Sequence, residues 1–175
     1  MMQAASADDQ AESPTSEVSD VTGVGRARLD FDSLYEAKYS DMVRLAYFLT
    51  GSMAQAEEAT QDSFVRLYEQ WSKVANHPAY LRMSVVNRCR SWHRSRFVAI
   101  RRESRLARPD GYYDRPDEIT DALAKLPRRR REVIVLRFYE GLALADIASL
   151  LGISEGTVKS TLHHGLNELK GVLHE

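Results

Sequence analysis

The stretch LALADIASLLGISEGTVKSTLHHGLNELKGVL, residues 142–173, reads as a helix, a tight glycine turn and a second helix. Leu144, Ile147, Ala148 and Leu151 recur at helical spacing and share one face of the first helix. Gly152 follows where a left-handed residue would close that helix, and Ser154 stands where a side-chain oxygen would cap the next. In the second helix Val158, Leu162, Leu166, Leu169 and Leu173 fall on one side, so Thr157, Ser160, His164 and Asn167 point the other way. Small polar side chains on an outward face can approach base edges in a major groove, whereas an ordinary solvated helix more often carries Glu and Lys there. The plan is that of a DNA-reading helix-turn-helix, with two packed helices and a loop as the plain alternative.

Working outward from this stretch, Pro127 opens a preceding helix, and Ile119, Ala122, Leu123 and Leu126 share a face of another that starts near Glu118. The string RPDGYYDRPDE at residues 108–118 places two prolines and a glycine among charges, the composition of a linker. Towards the N-terminus, Phe31, Leu34, Tyr35, Tyr39, Met42, Leu45, Ala46 and Leu49 recur at helical spacing until Gly51 interrupts. A second helix is expected over residues 54–71, with Phe64, Leu67, Tyr68 and Trp71 inward and Gln55, Glu58, Asp62, Arg66 and Glu69 outward. After a short loop at residues 73–77, Pro78 suits the first turn of a third helix that runs to at least Arg96. Residues 1–28 are rich in Ala, Ser, Asp, Glu and Gly without helical period and are expected to form a disordered acidic tail. The fold class is therefore all-α: a tail (1–28), a helical domain (29–97), a flexible linker (98–117) and a second small helical domain (118–175) containing the helix-turn-helix.

A formal net charge of -1 argues at first against a nucleic-acid partner, but the charge is partitioned along the chain. Acids dominate the tail, while between Arg82 and Arg105 the arginines face a single acid, Glu103. That stripe is the local electrostatic footprint of a polyanion. Cys89 is the only cysteine, so no intramolecular disulfide can form and a reduced core thiol is expected. No apolar run is long enough to cross a bilayer, and MMQAASADDQ lacks the basic and apolar regions of a secretion signal, so a cytoplasmic protein without membrane insertion is expected. No glycine-rich phosphate loop, metal-ligand set or nucleophile with a base is visible, and neither enzyme activity nor a cofactor is expected.

In the third helix Leu81, Val85, Cys89 and Trp92 form the inward stripe, leaving Met83, Asn87, Arg90, Arg94 and Phe97 outside. Guanidinium groups can hold phosphates, an amide can pair with adenine, and aromatics can stack on an unpaired base, although a solvated Arg-rich helix has the same pattern. Three strings, in this order, resemble a known family. They are AEEATQDSFVRLYEQW (residues 56–71), PAYLRMSVVNRCRSWHRSR (78–96) and LPRRRREVIVLRFYEGLALADIASLLGISEGTVKSTL (126–162). The chain resembles a bacterial RNA polymerase sigma factor of the sigma-70 family, in the extracytoplasmic-function group. The resemblance covers nearly everything beyond the tail.

The resemblance implies a promoter-specificity subunit with core RNA polymerase and promoter DNA as partners. The first string would dock on the clamp helices of the largest polymerase subunit, through Glu58, Asp62 and Arg66. The second would recognise and melt the promoter element near about -10, with Asn87 against melted DNA, Arg90 and Arg94 on phosphates, and Asn76 and His77 in the loop that captures a flipped base. The third would read the element near about -35 and meet the polymerase flap, through Ser154, Glu155, Gly156, Thr157, Lys159, Ser160, His163, His164 and Asn167. An anti-sigma partner is implied as well. The alternative is a stand-alone helix-turn-helix transcriptional regulator, whose first domain would bind a ligand or dimerise.

Some residues depart from the family pattern. Thr161, His163, His164 and Gly165 stand where an Arg-rich run usually follows, which shifts recognition from phosphates towards base edges. Adjacent histidines on a helix diverge by about 100°, so His163 and His164 are not expected to share a metal ion. Ala143 replaces a capping Ser or Thr, a loss of about 1 kcal/mol. Residues 128–131 place four arginines in a first helical turn, where the dipole disfavours cations by about 0.3–1 kcal/mol each. Either Arg128 and Arg129 touch upstream promoter phosphates, or Glu132 and acidic linker residues neutralise them.

Overall fold

The computed structural model describes residues 18–102 and 118–173. Residues 1–17 of the expected tail and residues 103–117 of the expected linker lie outside the described residues. Every described element is helical. The first unit comprises α1 (Val18–Thr50), α2 (Met53–Glu69), a 3-10 turn (Trp71–Lys73) and α3 (His77–Arg102). The second comprises α4 (Glu118–Lys125), α5 (Arg128–Ile134) continued by a π-helical segment (Val135–Tyr139), α6 (Leu144–Leu151) and α7 (Glu155–Leu173).

Helical spacing of apolar residues builds the first core. Leu45 and Leu49 from α1, Phe64 and Leu67 from α2, and Leu81, Val85 and Val86 from α3 are all buried. Each such side chain contributes about 1.5–3 kcal/mol on leaving water. Gly51 closes α1 at φ 69°, a left-handed conformation that costs glycine little. Three expectations need correction. Tyr68, read as inward, is 58% exposed, and its ring meets that of Phe31 in a T-shaped contact. Residues 18–28, expected to be disordered, are helical, because α1 begins at Val18. Extending a helix from a packed nucleus costs far less than starting one, so the turns anchored from Phe31 onward carry the helix back into an apolar-poor sequence. At its other end α3 continues to Arg102, past the boundary expected at residue 97.

The second core is formed by Leu123 and Leu126, Val133 and Leu136, Ile147 and Leu151, and Val158. Gly165 lies where α7 crosses α5: a Cβ there would stand 2.9 Å from Ile134 Cδ1 and 3.2 Å from Arg130 Cβ. The residue that looked like a missing DNA contact is thus a packing requirement. The π segment is closed by Glu140 N donating to Val135 O at 3.2 Å, five residues back. Gly141 follows at φ 66° and turns the chain into α6. α1 touches α4, α5 and the π segment, so the two units pack together.

Candidate nucleic-acid interface

The helix-turn-helix forms as its residues dictate. Gly152 adopts φ 65°, and Ile153 N donates to Ala148 O at 3.0 Å, closing α6 with the six-residue ring of a glycine cap. Ser154 Oγ accepts Thr157 N at 3.1 Å and caps α7. Ala143 supplies no side-chain cap to α6, and Asp146 sits in its first turn, where an acid favours the dipole. Ile147, Leu151 and Val158 lock the two helices together.

That packing leaves Glu155, Gly156, Thr157, Lys159, Ser160, His163, His164 and Asn167 exposed along α7. The surface is organised internally. Lys159 pairs with Glu155 at 3.1 Å, and Ser160 Oγ donates to Thr157 O at 3.1 Å. Asn167 Nδ2 lies 3.1 Å from His163 Nε2, an arrangement that steadies the imidazole with Nδ1 free to donate. With one lysine already paired, this surface offers hydrogen-bonding edges rather than net positive charge.

The arginine run of α5 divides by partner. Arg128 Nε lies 3.5 Å from Glu132 Oε1, Arg130 pairs with Glu168 of α7, and Arg131 donates to Ala124 O and Leu126 O at 3.0 and 3.1 Å. Arg129 is exposed. Internal anions therefore compensate much of the charge that the helix dipole disfavours. Glu132 is 2% exposed, and Oε1 has no hydrogen-bond partner, since the contact from Arg128 is a charge contact only. Burial pushes its carboxyl above the usual range, against the pull of Arg128, Arg90, Arg129 and Arg131. Burial likewise pushes the Cys89 thiol up to about 12, which keeps it protonated and unreactive.

On α3, Asn87 and Arg94 are exposed and share a face, as the helical spacing requires. Arg90, between them, is half-buried: its guanidinium donates to Leu150 O at 3.4 Å and Leu151 O at 3.1 Å, the last carbonyls of α6. Much of the basic stripe is already paired, since Arg82 bonds Glu140 and Arg88 pairs with Asp62. Asn76 caps α3, with Oδ1 accepting Ala79 N at 3.0 Å. His77 stacks on Trp71 with ring centroids 3.7 Å apart, and its Nε2 donates to Trp71 O at 2.9 Å. The geometry makes His77 a fastener of the loop rather than a free ligand.

Sequence spacing did not single out the cavity beside this loop. It is open, about 660 Å³ in volume, and lined by Arg66, Lys73, Asn76, Tyr80 and Met83 among others. An aromatic ring, a thioether, the amides of Gln70 and Asn76, two cations and one carboxylate, Glu69, thus converge where α2 meets α3. Of the three residues expected to hold polymerase, Glu58 is exposed and accepts Gln55 Nε2 at 2.9 Å. Asp62 is held by Arg88, and Arg66 faces the cavity. The exposed apolar residues of α2 are Val65 and Tyr68, each 58% exposed. Among the described residues, no group of three or more metal-ligating side chains occurs, and no helix is long and apolar enough to cross a membrane.

Comparison with known proteins agrees with this layout. The family description "Sigma-70 region 2" matches residues 34–97, and "Sigma-70, region 4" matches residues 117–169. The chain is 32% identical to an RNA polymerase sigma-E factor of Streptomyces avermitilis, covering 81% of this chain and 84% of that one. It is 33% identical to the ECF RNA polymerase sigma factor SigL of Mycobacterium tuberculosis, covering 82% and 88%. Among solved structures, the sigma factor RpoE of Bartonella quintana, in complex with the anti-sigma factor NepR, shares the fold with a TM-score of 0.69 at 23% identity, covering 83% of this chain and 97% of that one. The chain belongs to the extracytoplasmic-function RNA polymerase sigma factors of the sigma-70 family.

Proposed function

We propose a division of labour within this sigma factor: residues 29–97 hold core RNA polymerase and open promoter DNA, residues 118–175 read duplex, and residues 98–117 connect them. The observation that carries the reading is the pairing of two unlike surfaces. The exposed face of α7 offers small hydrogen-bonding groups suited to base edges in an intact groove. The α2–α3 cavity instead offers Tyr80 and Met83 as walls for an unstacked base and Arg66 and Lys73 for its phosphates.

In this reading Asn87 and Arg94 lie along the separated strand, and Asn76 both caps α3 and presents its amide to the cavity. Thr157, Ser160, His163, His164 and Asn167 read bases, with Ser154, Glu155, Gly156 and Lys159 at the helix start near the phosphates. Arg129 reaches an upstream phosphate, whereas Arg128 serves chiefly Glu132. Glu58 contacts polymerase together with Val65 and Tyr68, which the resemblance alone did not nominate. The protein does no covalent chemistry. Opening proceeds because binding energy for the flipped base is gained only in the open state, offsetting an unpairing cost of a few kcal/mol. An anti-sigma partner masks these faces, as solved relatives are bound by such factors, and the protein works in the cytoplasm.

Run-off transcription with core polymerase on genomic fragments, followed by mapping of start sites, tests the whole reading. Defined starts that depend on the added chain are expected. Tight duplex binding without polymerase, and no starts with it, would instead favour the stand-alone regulator.

A further inference from the structure

We propose that Asn167 sets His163 as a hydrogen-bond donor in the major groove, so that this chain selects guanine at one position of its upstream promoter element. The inference rests on α7 as the reader of duplex, and it names the base edge that one residue of that helix takes. Asn167 Nδ2 lies 3.1 Å from His163 Nε2. An amide nitrogen donates and does not accept, so Nε2 is the acceptor and the proton of the neutral imidazole sits on Nδ1. Which ring nitrogen donates is thereby settled before DNA arrives.

The neighbouring groups of the same face are not fixed in this way. Glu168 stands one turn beyond His164, where a carboxylate would orient that ring, but Arg130 of α5 holds it. His164 meets the ring of His163 edge-on, with centroids 5.7 Å apart. Ser160 Oγ spends its hydrogen on Thr157 O at 3.1 Å, and the hydroxyls of Ser154 and Thr157 share one hydrogen across 2.8 Å. Lys159 turns to Glu155 at 3.1 Å. His163 Nδ1 is thus the oriented donor of this surface. The fold holds it outward: Gly165, two residues on and about 200° round the helix, lies where α5 comes too close for a Cβ. With that side of α7 pinned, Lys159, His163 and Asn167 face solvent.

An N–H donor separates bases by what each presents in the major groove. Guanine offers two acceptors, N7 and O6, whereas adenine sets an amino donor beside N7 and thymine sets a methyl group beside O4. Cytosine offers its N4 amino group, which would meet Nδ1–H donor to donor. Guanine is the best match and cytosine the worst. One such hydrogen bond changes affinity by about two- to tenfold. Fixing the ring in advance also removes part of the ordering cost from binding.

The test has two arms, both on the full chain. Long-range proton–nitrogen NMR reads the His163 tautomer, at about pH 8 so that imidazoles are neutral. Nδ1–H is expected in the wild type, and Asn167→Asp, whose carboxylate only accepts, should move the proton to Nε2. A wild-type ring protonated on Nε2, with Asn167 Oδ1 accepting, overturns the proposal. In the second arm, holoenzyme assembled with core polymerase is titrated at the same pH with labelled duplexes. These span the upstream element of a promoter recovered by run-off transcription, with each base pair exchanged in turn. Ratios between bases are compared, because an added carboxylate weakens binding to every sequence. At one guanine, exchange to cytosine should weaken wild-type binding by up to about tenfold, and both His163→Ala and Asn167→Asp should abolish that preference. Discrimination that survives in either variant, or a His163-dependent preference for another base, overturns the inference and leaves α7 as the reader. A holoenzyme indifferent to every exchange overturns the reading of α7, and this inference with it.

Discussion

Replacing Gly165 with alanine puts two opposed effects at one atom. A glycine within a helix costs about 1 kcal/mol relative to alanine, so propensity alone favours the substitution. Against it, the new methyl would stand 2.9 Å from Ile134 Cδ1 and 3.2 Å from Arg130 Cβ. The Ile134 methyl can rotate away only into a packed core. The Arg130 Cβ is fixed to its backbone, so α5 and α7 must separate by a few tenths of an ångström. Overpacking of this kind costs about 1–3 kcal/mol. The net expectation is a loss of about 1 kcal/mol, or roughly 4–8 °C in Tm for a unit of this size. Gly171→Ala is the matched control, since nothing lies within 4 Å of its added Cβ and propensity should act unopposed. Ile134→Val removes the nearer clash, so it should cost less in the Gly165→Ala background than alone. Circular dichroism melts of the wild type and the four variants decide the matter. A Gly165→Ala protein melting at or above the wild type would refute the claim that close approach of α5 and α7 required the glycine.

Asn76→Ala should cost about 1 kcal/mol in urea denaturation through loss of the α3 cap, while Asn76→Asp keeps most of it. Arg129→Gln should weaken promoter binding and flatten its salt dependence, read as the slope of log affinity against log salt; an unchanged slope rejects the phosphate contact. Arg128→Gln should instead lower stability at neutral pH, because it leaves a buried carboxylate without its charge contact. Burial raises the Glu132 pKa in the folded chain, so its contribution is full below the ordinary carboxylate range and is lost as pH rises through the folded value. Glu132→Gln should therefore flatten the decline of urea midpoint between acid and neutral pH, and parallel wild-type and variant profiles would contradict this.

Much of the architecture could be read from residue spacing because helices declare themselves locally. The stripe of Leu144, Ile147 and Leu151, the left-handed Gly152 and the Ser154 cap involve neighbours a turn apart, and all three stand as expected. Partners distant in sequence were not legible. Nothing near Arg82 announces Glu140, and nothing near Arg90 announces the carbonyls of Leu150 and Leu151. A charged stripe consequently read as free, although Asp62 and Glu140 neutralise part of it. The cavity of Tyr80, Met83 and Arg66 escaped notice because it forms between elements, and Tyr68 deceived because aromatics at core spacing can also stand outside. The π segment has no periodic signature at all, since a single inserted residue leaves apolar spacing nearly intact.

If the exposed face of α3 grips separated strands, its loss must matter only when the duplex has to be opened. Run-off transcription with core polymerase can therefore compare Asn87→Ala with Arg94→Ala, in one chain, against the wild type on two templates, one fully paired and one already melted around its start site. Initiation is predicted to collapse on the paired template and to persist on the melted one. Equal initiation by the variant and the wild type on paired DNA would contradict the account.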